Sequence, residues 1–260
     1  MGRPWICVLG ASSGFGAAAA RAFARRGYGI FGLHLDRRST MPVVESLVAE
    51  LEAADVPVVF HNGNAASDEE REAAIQRLRL AMGEGDEVGV LLHSLAFGTL
   101  RPFFSEETKP LSKRQMDMTL DVMANSLVYW TQDLLTAGML CEGGRIFAMT
   151  SSGSLAAWPA YGAVSAAKCA LESHIRQLAV ELAPRGITAN AIMAGVTRTA
   201  ALDKIPGNDE IERKALERNP SGRLTRPEDV SACLLALSQP GTGWMTGNVI
   251  RVDGGESISG

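Results

Sequence analysis

Tyr161 and Lys168 are separated by six residues. Seven positions of helix turn through about 700°, which brings the two side chains within roughly 20° of one face. A tyrosine hydroxyl beside a lysine ammonium is a hydrogen-bond donor next to a cation. That pairing suits an oxygen on which negative charge develops during a reaction. A second constellation lies near the start of the chain. Gly10, Gly14 and Gly16 form a G-x-x-x-G-x-G run between an apolar stretch and a small-residue stretch. Gly10 suits a tight turn, Gly14 lets backbone N–H groups approach a pyrophosphate, and Gly16 lets helix and strand pack closely. The helix that follows would turn its free N–H groups and positive dipole end toward phosphates. A third group, Asp36, Arg37 and Arg38, falls where a second strand should end beside an adenosine ribose. A carboxylate there would accept from a 2′-hydroxyl and favour NAD; an arginine would pair with a 2′-phosphate and favour NADP. Two adjacent arginines suit a phosphate, so the reading leans to NADPH, with NADH possible.

The elements that must position these groups are legible as alternating periods. Nearly continuous apolar runs mark strands at 5–9, 29–35, 57–61, 88–93, 144–150, 187–193 and 248–252, as strands buried on both faces should read. Stretches of 3.6-residue period mark helices at about 15–26, 42–54, 68–82, 111–138, 160–183 and 227–238. Strand–helix alternation of this kind predicts an α/β fold, a Rossmann-type doubly wound parallel sheet of about seven strands in three α/β/α layers. The stretch 196–225, rich in Pro, Gly, Asn and charge, reads as one long irregular binding loop or lid. No repeat or linker divides the chain, so a single domain over residues 1–260 is expected.

Composition narrows the function classes. Of 260 residues 46% are hydrophobic and 21% charged, ordinary globular usage that excludes a disordered chain or a fibre. The formal charge of −4 argues against a nucleic-acid binder. Four cysteines, Cys7, Cys141, Cys169 and Cys233, lack any C-x-x-C spacing; buried structural thiols are expected, with no metal site. No apolar run is long enough to span a bilayer. The first residues show no charged-then-apolar leader, and the expected location is the cytoplasm.

The glycine turn, a Tyr–Lys helix after the fifth strand and the run Val252–Gly255 together resemble the short-chain dehydrogenase/reductase family over essentially the whole chain. That family usually separates its Tyr and Lys by three residues, and Val164 occupies the usual Tyr position. The wider gap is similar to the enoyl-acyl-carrier-protein reductase branch. His93–Gly98 and Asn190–Thr199 look like FabI-type stretches, with Ala194 in place of the common proline. The compact glycine turn, Ser151–Ser154, Leu178–Leu182 and Thr199–Leu202 look closest to the FabL type, which is NADPH-dependent. Two departures stand out. Asp121–Met123 replaces the helical asparagine common in the family, with Asn125 two positions off. Ser151 lies 17 residues before Lys168, where typical members place a catalytic serine and FabI types carry a second tyrosine.

The resemblance implies NADPH-dependent reduction of the trans-2 double bond of an enoyl-acyl-carrier-protein or enoyl-CoA thioester in fatty-acid synthesis. Catalytic roles fall to Tyr161, Lys168 and Ser151. Cofactor contacts fall to Gly10, Ser12, Ser13, Gly14, Phe15, Gly16, Arg37, Arg38, Asn64, Ala65, Ser94, Leu95, Ala96, Lys168, Ala194, Gly195, Val196 and Thr199. The Ile192 backbone and Val196 would face the nicotinamide carboxamide. Phe97, Tyr161, Ala200 and Leu202 would meet the substrate, with a mobile segment at about 196–220 closing over an acyl chain. Ser94 and Ser151 read equally well as small packing residues, and His93 as a position that serves through its backbone. His34, His61 and His174 are assigned no role. The family also implies a homotetramer packed partly through helices 111–138 and 160–183. The competing reading is a carbonyl or alcohol oxidoreductase of the same family, acting on a 3-oxoacyl thioester or a secondary alcohol. A protein that binds a dinucleotide without turnover is the third.

Overall fold

The computed structural model describes residues 2–259. Seven strands, β1 (Pro4–Leu9), β2 (Gly29–His34), β3 (Val58–Asn62), β4 (Glu87–His93), β5 (Leu140–Thr150), β6 (Thr188–Ala194) and β7 (Val249–Val252), form one sheet in the order β3-β2-β1-β4-β5-β6-β7. Every pairing is parallel. The strand order reverses between β1 and β4, and in open α/β sheets the crevice beyond the strand ends at such a point is where ligands bind.

The near-continuous apolar runs are explained by burial on both faces. Along β1, Trp5, Cys7 and Leu9 point into one core while Ile6 and Val8 point into the other. The first core is closed by α3 (Asp68–Ala81), α5 (Ser126–Thr136) and α6 (Gly162–Glu181), through residues such as Leu78, Trp130 and Leu171. The second is closed by α1 (Gly14–Ala24), α2 (Met41–Glu52) and α8 (Pro227–Leu237), through Phe23, Leu51 and Leu234. Ser67 caps α3 by accepting from the Glu70 N–H, and three acids occupy the first turn, which complements the helix dipole.

Three expectations need correction. The long helix at 111–138 is interrupted: α4 (Lys113–Leu120) runs through a π-helical turn, Asp121–Asn125, into α5. The stretch 196–225 is not wholly irregular, since α7 (Asn208–Arg218) forms inside it. Only Ala215 of α7 is buried, so no apolar period announces it. Its surface is instead laced by Arg213 pairing with Glu210 and Glu217, and by Lys214 with Glu210, at the i,i+3 and i,i+4 spacings where helical side chains meet. The thiols also divide: Cys7 is buried, Cys141 and Cys233 are half-buried, and Cys169 is exposed.

Candidate active site

The glycine run folds into a turn wedged between three strand ends. Gly10 has φ +91, and its N–H donates to the Leu33 carbonyl at 2.8 Å. A Cβ on Gly10 would stand 2.4 Å from the Ser94 carbonyl, and one on Gly16 would stand 2.0 Å from the Gly10 carbonyl. Gly14, with φ +53, looks across at the Thr199 side chain. Ser13 precedes α1 in extended conformation without capping it, and no acid lies in the first turn. The first N–H groups of α1 therefore meet neither a capping side chain nor a carboxylate. Phe15 is half-buried against the second core. This arrangement fits the pyrophosphate of a dinucleotide: bare backbone, free N–H donors and no competing anion.

Tyr161 precedes α6 as its N-cap in helical conformation, one residue earlier than the helix itself. Its seven-residue lead over Lys168 thus still delivers both side chains to the sheet's C-terminal edge. Ala160, just before it, holds φ +61, a left-handed geometry that costs an alanine about 1–2 kcal/mol. The Tyr161 hydroxyl lies 3.5 Å from Ser151 Oγ, and Gly153 lets the backbone pass over the ring, where a Cβ would be 2.3 Å from Cε1. Burial pushes the phenol's pKa up, with the Ser151 contact opposing. The group is therefore a neutral donor at physiological pH. Lys168 is buried, and its Nζ donates to the Met149 carbonyl at 2.7 Å and more weakly to the Leu95 carbonyl at 3.5 Å. Burial lowers its pKa to about 8, against the pull of Glu172. No hydrogen bond joins Tyr161 to Lys168; they face the crevice as separate groups.

Beside them His93 is fully buried at the end of β4. Its Nε2 lies 2.9 Å from Ser126 Oγ, whose hydroxyl donates to the Val122 carbonyl at 2.8 Å, so the oxygen is left to accept from the imidazole; burial followed by the charge on Lys168 drives the ring's pKa down to about 3. Asn125, in the π turn, bonds His174 on α6 at 3.2 Å, and makes no bond to Lys168.

At the cofactor-side rim, Arg37 and Arg38 are exposed beyond β2. Asn64 is exposed after β3, whereas Ala65 is buried with its carbonyl accepting from the Trp130 indole at 3.0 Å. Ser94 donates its N–H to Leu9 at 2.8 Å, tying the β4 loop to the glycine turn. Ala96 and Phe97 are exposed farther along that loop. At the end of β6, Ala194 and the following Gly195 are half-buried, and the Val196 N–H is taken by Glu256 Oε2 at 3.0 Å. Ile192 does not line the site: it is wholly buried mid-strand, paired with Met149 and Ile250. Of the expected substrate residues, Ala200 is exposed and Leu202 is buried in a short turn.

Two aromatic residues near the site escaped the sequence reading. Phe103 packs over Gly162, next to Tyr161, and Trp158 ties the loop after β5 to the segment before α7. Its indole donates to the Pro206 carbonyl at 3.0 Å, and Lys214 of α7 sits 5.7 Å from its ring centroid. The available signal was an unusual density of aromatics in stretches without a period.

Residues 10–257 match the family model described as enoyl-(acyl carrier protein) reductase. The chain is 27% identical over 254 residues to 1-cyclohexenylcarbonyl-CoA reductase of Streptomyces collinus, spanning 96% of this chain and 86% of that protein. The crystal structure of enoyl-[acyl-carrier-protein] reductase (NADH) from Aquifex aeolicus matches with a TM-score of 0.85 at 24% identity, over 100% of this chain and 98% of that one. A short-chain dehydrogenase from Burkholderia cenocepacia in complex with NADP matches with a TM-score of 0.82 at 25% identity, over 98% of each chain.

Proposed function

The chain belongs to the enoyl-acyl-carrier-protein reductase family of short-chain dehydrogenase/reductase oxidoreductases, and from that premise we propose that it reduces the trans-2 double bond of enoyl thioesters with NADPH. The observation that carries this reading is the Tyr161–Lys168 pair at its wide spacing, with a neutral phenol and a buried ammonium facing one crevice.

When bound, the nicotinamide supplies a hydride to the substrate's β carbon. Negative charge then grows on the thioester oxygen, and the Tyr161 hydroxyl donates to it. One such donor contributes about 3–4 kcal/mol to lowering the barrier. Lys168, fixed by the Met149 carbonyl, holds the nicotinamide ribose and adds positive charge near the reacting oxygen. Thr199, facing Gly14, joins the glycine turn in holding the phosphates. Arg37 and Arg38 meet the 2′-phosphate. Phe97, Ala200 and Leu202 border the acyl chain, and the segment 196–220 closes over it. The acyl group arrives on acyl-carrier protein or CoA for fatty-acid synthesis. The protein works in the cytoplasm as a homotetramer joined through α4, α5 and α6, each chain a single domain. Among the described residues no helix is long and apolar enough to cross a membrane.

One observation favours a second reading. The Ser151 hydroxyl within 3.5 Å of Tyr161 is the pairing that a carbonyl-reducing site uses to hold a ketone oxygen. Purified protein should oxidise NADPH in the presence of crotonyl-CoA, and Tyr161→Phe should lower kcat about 100- to 1,000-fold with cofactor affinity unchanged. Failure to oxidise NADPH with any enoyl thioester would sink the proposal, and turnover of acetoacetyl-CoA alone would move the assignment to the carbonyl reading.

A further inference from the structure

Asp36 stands two residues beyond β2, at the place where a free carboxylate would accept from the adenosine 2′-hydroxyl and select the unphosphorylated dinucleotide. Its carboxylate is already engaged. His34 Nδ1 lies 3.0 Å from Asp36 Oδ2, and because an ionised carboxylate only accepts, the bonding proton must sit on Nδ1. The His34 side chain is 2% exposed and the Asp36 side chain 17%. The imidazole is fixed in turn, tilted against Phe60 at 5.8 Å between ring centroids, with its own backbone carbonyl accepting from the Gly63 N–H at 2.8 Å. The Asp36 main chain is clamped on both sides by one residue: its N–H donates to Asn62 Oδ1 at 3.1 Å and its carbonyl accepts from Asn62 Nδ2 at 3.0 Å. Burial works against ionisation of Asp36, but Ser12, Thr40 and His34 around it hold its pKa below the ordinary range.

Arg37 and Arg38 contrast with this. Both are exposed, and neither forms an ion pair among the described residues. The turn that carries them is set by Thr40, whose N–H and hydroxyl both bond the Arg37 carbonyl. One acid is therefore tied through Oδ2 to a buried imidazole while two exposed cations on the same short turn form no ion pair among the described residues.

We propose that His34 is a specificity-determining residue for the cofactor: by holding the Asp36 carboxylate it withdraws the acid from the ribose and leaves Arg37 and Arg38 to read a 2′-phosphate. This inference rests on the NADPH reading above. A neutral imidazole donor suffices for the hold, so no protonation event is required. His61 on β3, itself paired with Glu70 at 2.8 Å, is the other titratable group beside His34.

The test is calorimetric titration of NADP+ and NAD+ into the full chain, without turnover. Four proteins are compared: wild type, Asp36→Asn, His34→Phe, which keeps the ring against Phe60, and the double variant. Wild type should bind NADP+ at least about tenfold tighter than NAD+. Asp36→Asn should leave that ratio within about threefold, because the carboxylate was already withheld. His34→Phe should lower the ratio at least about tenfold by releasing the acid, and adding Asp36→Asn should restore it. A rise in NADP+ preference with Asp36→Asn alone would overturn the inference while leaving the cofactor reading intact. So would a His34→Phe effect that is absent, or that persists undiminished in the double variant. If His34→Phe does not fold, the Asp36→Asn comparison alone decides. Tighter binding of NAD+ by wild type would overturn the cofactor reading and this inference with it.

Discussion

Lys168→Met separates what the buried cation costs the fold from what it does for the site. Burial lowers the lysine's pKa from its ordinary 10.5 to about 8. At neutral pH that difference corresponds to about 3 kcal/mol of unfavourable charge burial. Methionine removes this penalty but leaves the Met149 and Leu95 carbonyls without their donor, a loss of about 1–3 kcal/mol. The two effects nearly cancel, so the variant should melt within about 5 °C of wild type at pH 7, given roughly 2–4 °C per kcal/mol at this size. The balance changes with pH in a defined direction. Between pH 8 and 10.5 the unfolded wild-type chain keeps a proton on Lys168 that the folded chain has released. Wild-type stability therefore gains with pH across this window, relative to the variant, by up to about 3 kcal/mol. His93 is neutral throughout, with its pKa near 3, and Tyr161 is pushed above its usual range. The assay is urea unfolding of both proteins at pH 7, 8, 9 and 10, with the difference in stability plotted against pH. Cofactor binding by the variant should fall at every pH. A difference that stays constant from pH 7 to 10 would refute the buried-cation argument.

Four further outcomes follow from the geometry. Gly16→Ala places a Cβ 2.0 Å from the Gly10 carbonyl and should destabilise by about 1–3 kcal/mol in thermal melts while weakening dinucleotide binding. Gly14→Ala brings a Cβ to ordinary contact distance, 3.5 Å, from the Thr199 methyl and should cost only the left-handed strain, about 1–2 kcal/mol. Trp158→Leu removes the bond to Pro206 and the contact with Lys214, so limited proteolysis between residues 200 and 218 should accelerate and the KM for an acyl substrate should rise, with dinucleotide affinity unchanged. Ala160→Gly relieves the left-handed strain at φ +61 and should raise stability by about 1 kcal/mol, measured by urea unfolding.

The sheet was legible because its strands are buried on both sides. Trp5–Leu9 and Gly29–His34 admit no charged residue along their length, and the turn between β1 and α1 shows itself in glycine spacing alone. Tyr161 and Lys168 were legible for a different reason: a helical period survives even when the helix starts at Gly162, two residues later than expected. Other features had no local signature. The π turn at Asp121–Asn125 lies against α6, where Asn125 meets His174. α7 is held by ion pairs and one buried alanine, so its pattern reads as solvated loop. The pairing of His34 with Asp36 is a contact across two positions at a strand end, and the clamp on Asp36 comes from Asn62 on the neighbouring strand. Side-by-side Asp36 and Arg37 looked ambiguous in one dimension because the sequence does not reveal that the acid is occupied.

The most direct test of the central claim follows the hydride. Crotonyl-CoA and acetoacetyl-CoA are supplied together at equal concentration with NADPH deuterated on the transferring position, and the products are read by mass spectrometry and NMR. If Tyr161 serves a thioester oxygen during conjugate addition, the dominant product is butyryl-CoA with deuterium on its β carbon and a solvent proton on its α carbon. Deuterium found chiefly on the carbinol carbon of 3-hydroxybutyryl-CoA, with crotonyl-CoA untouched, would contradict it.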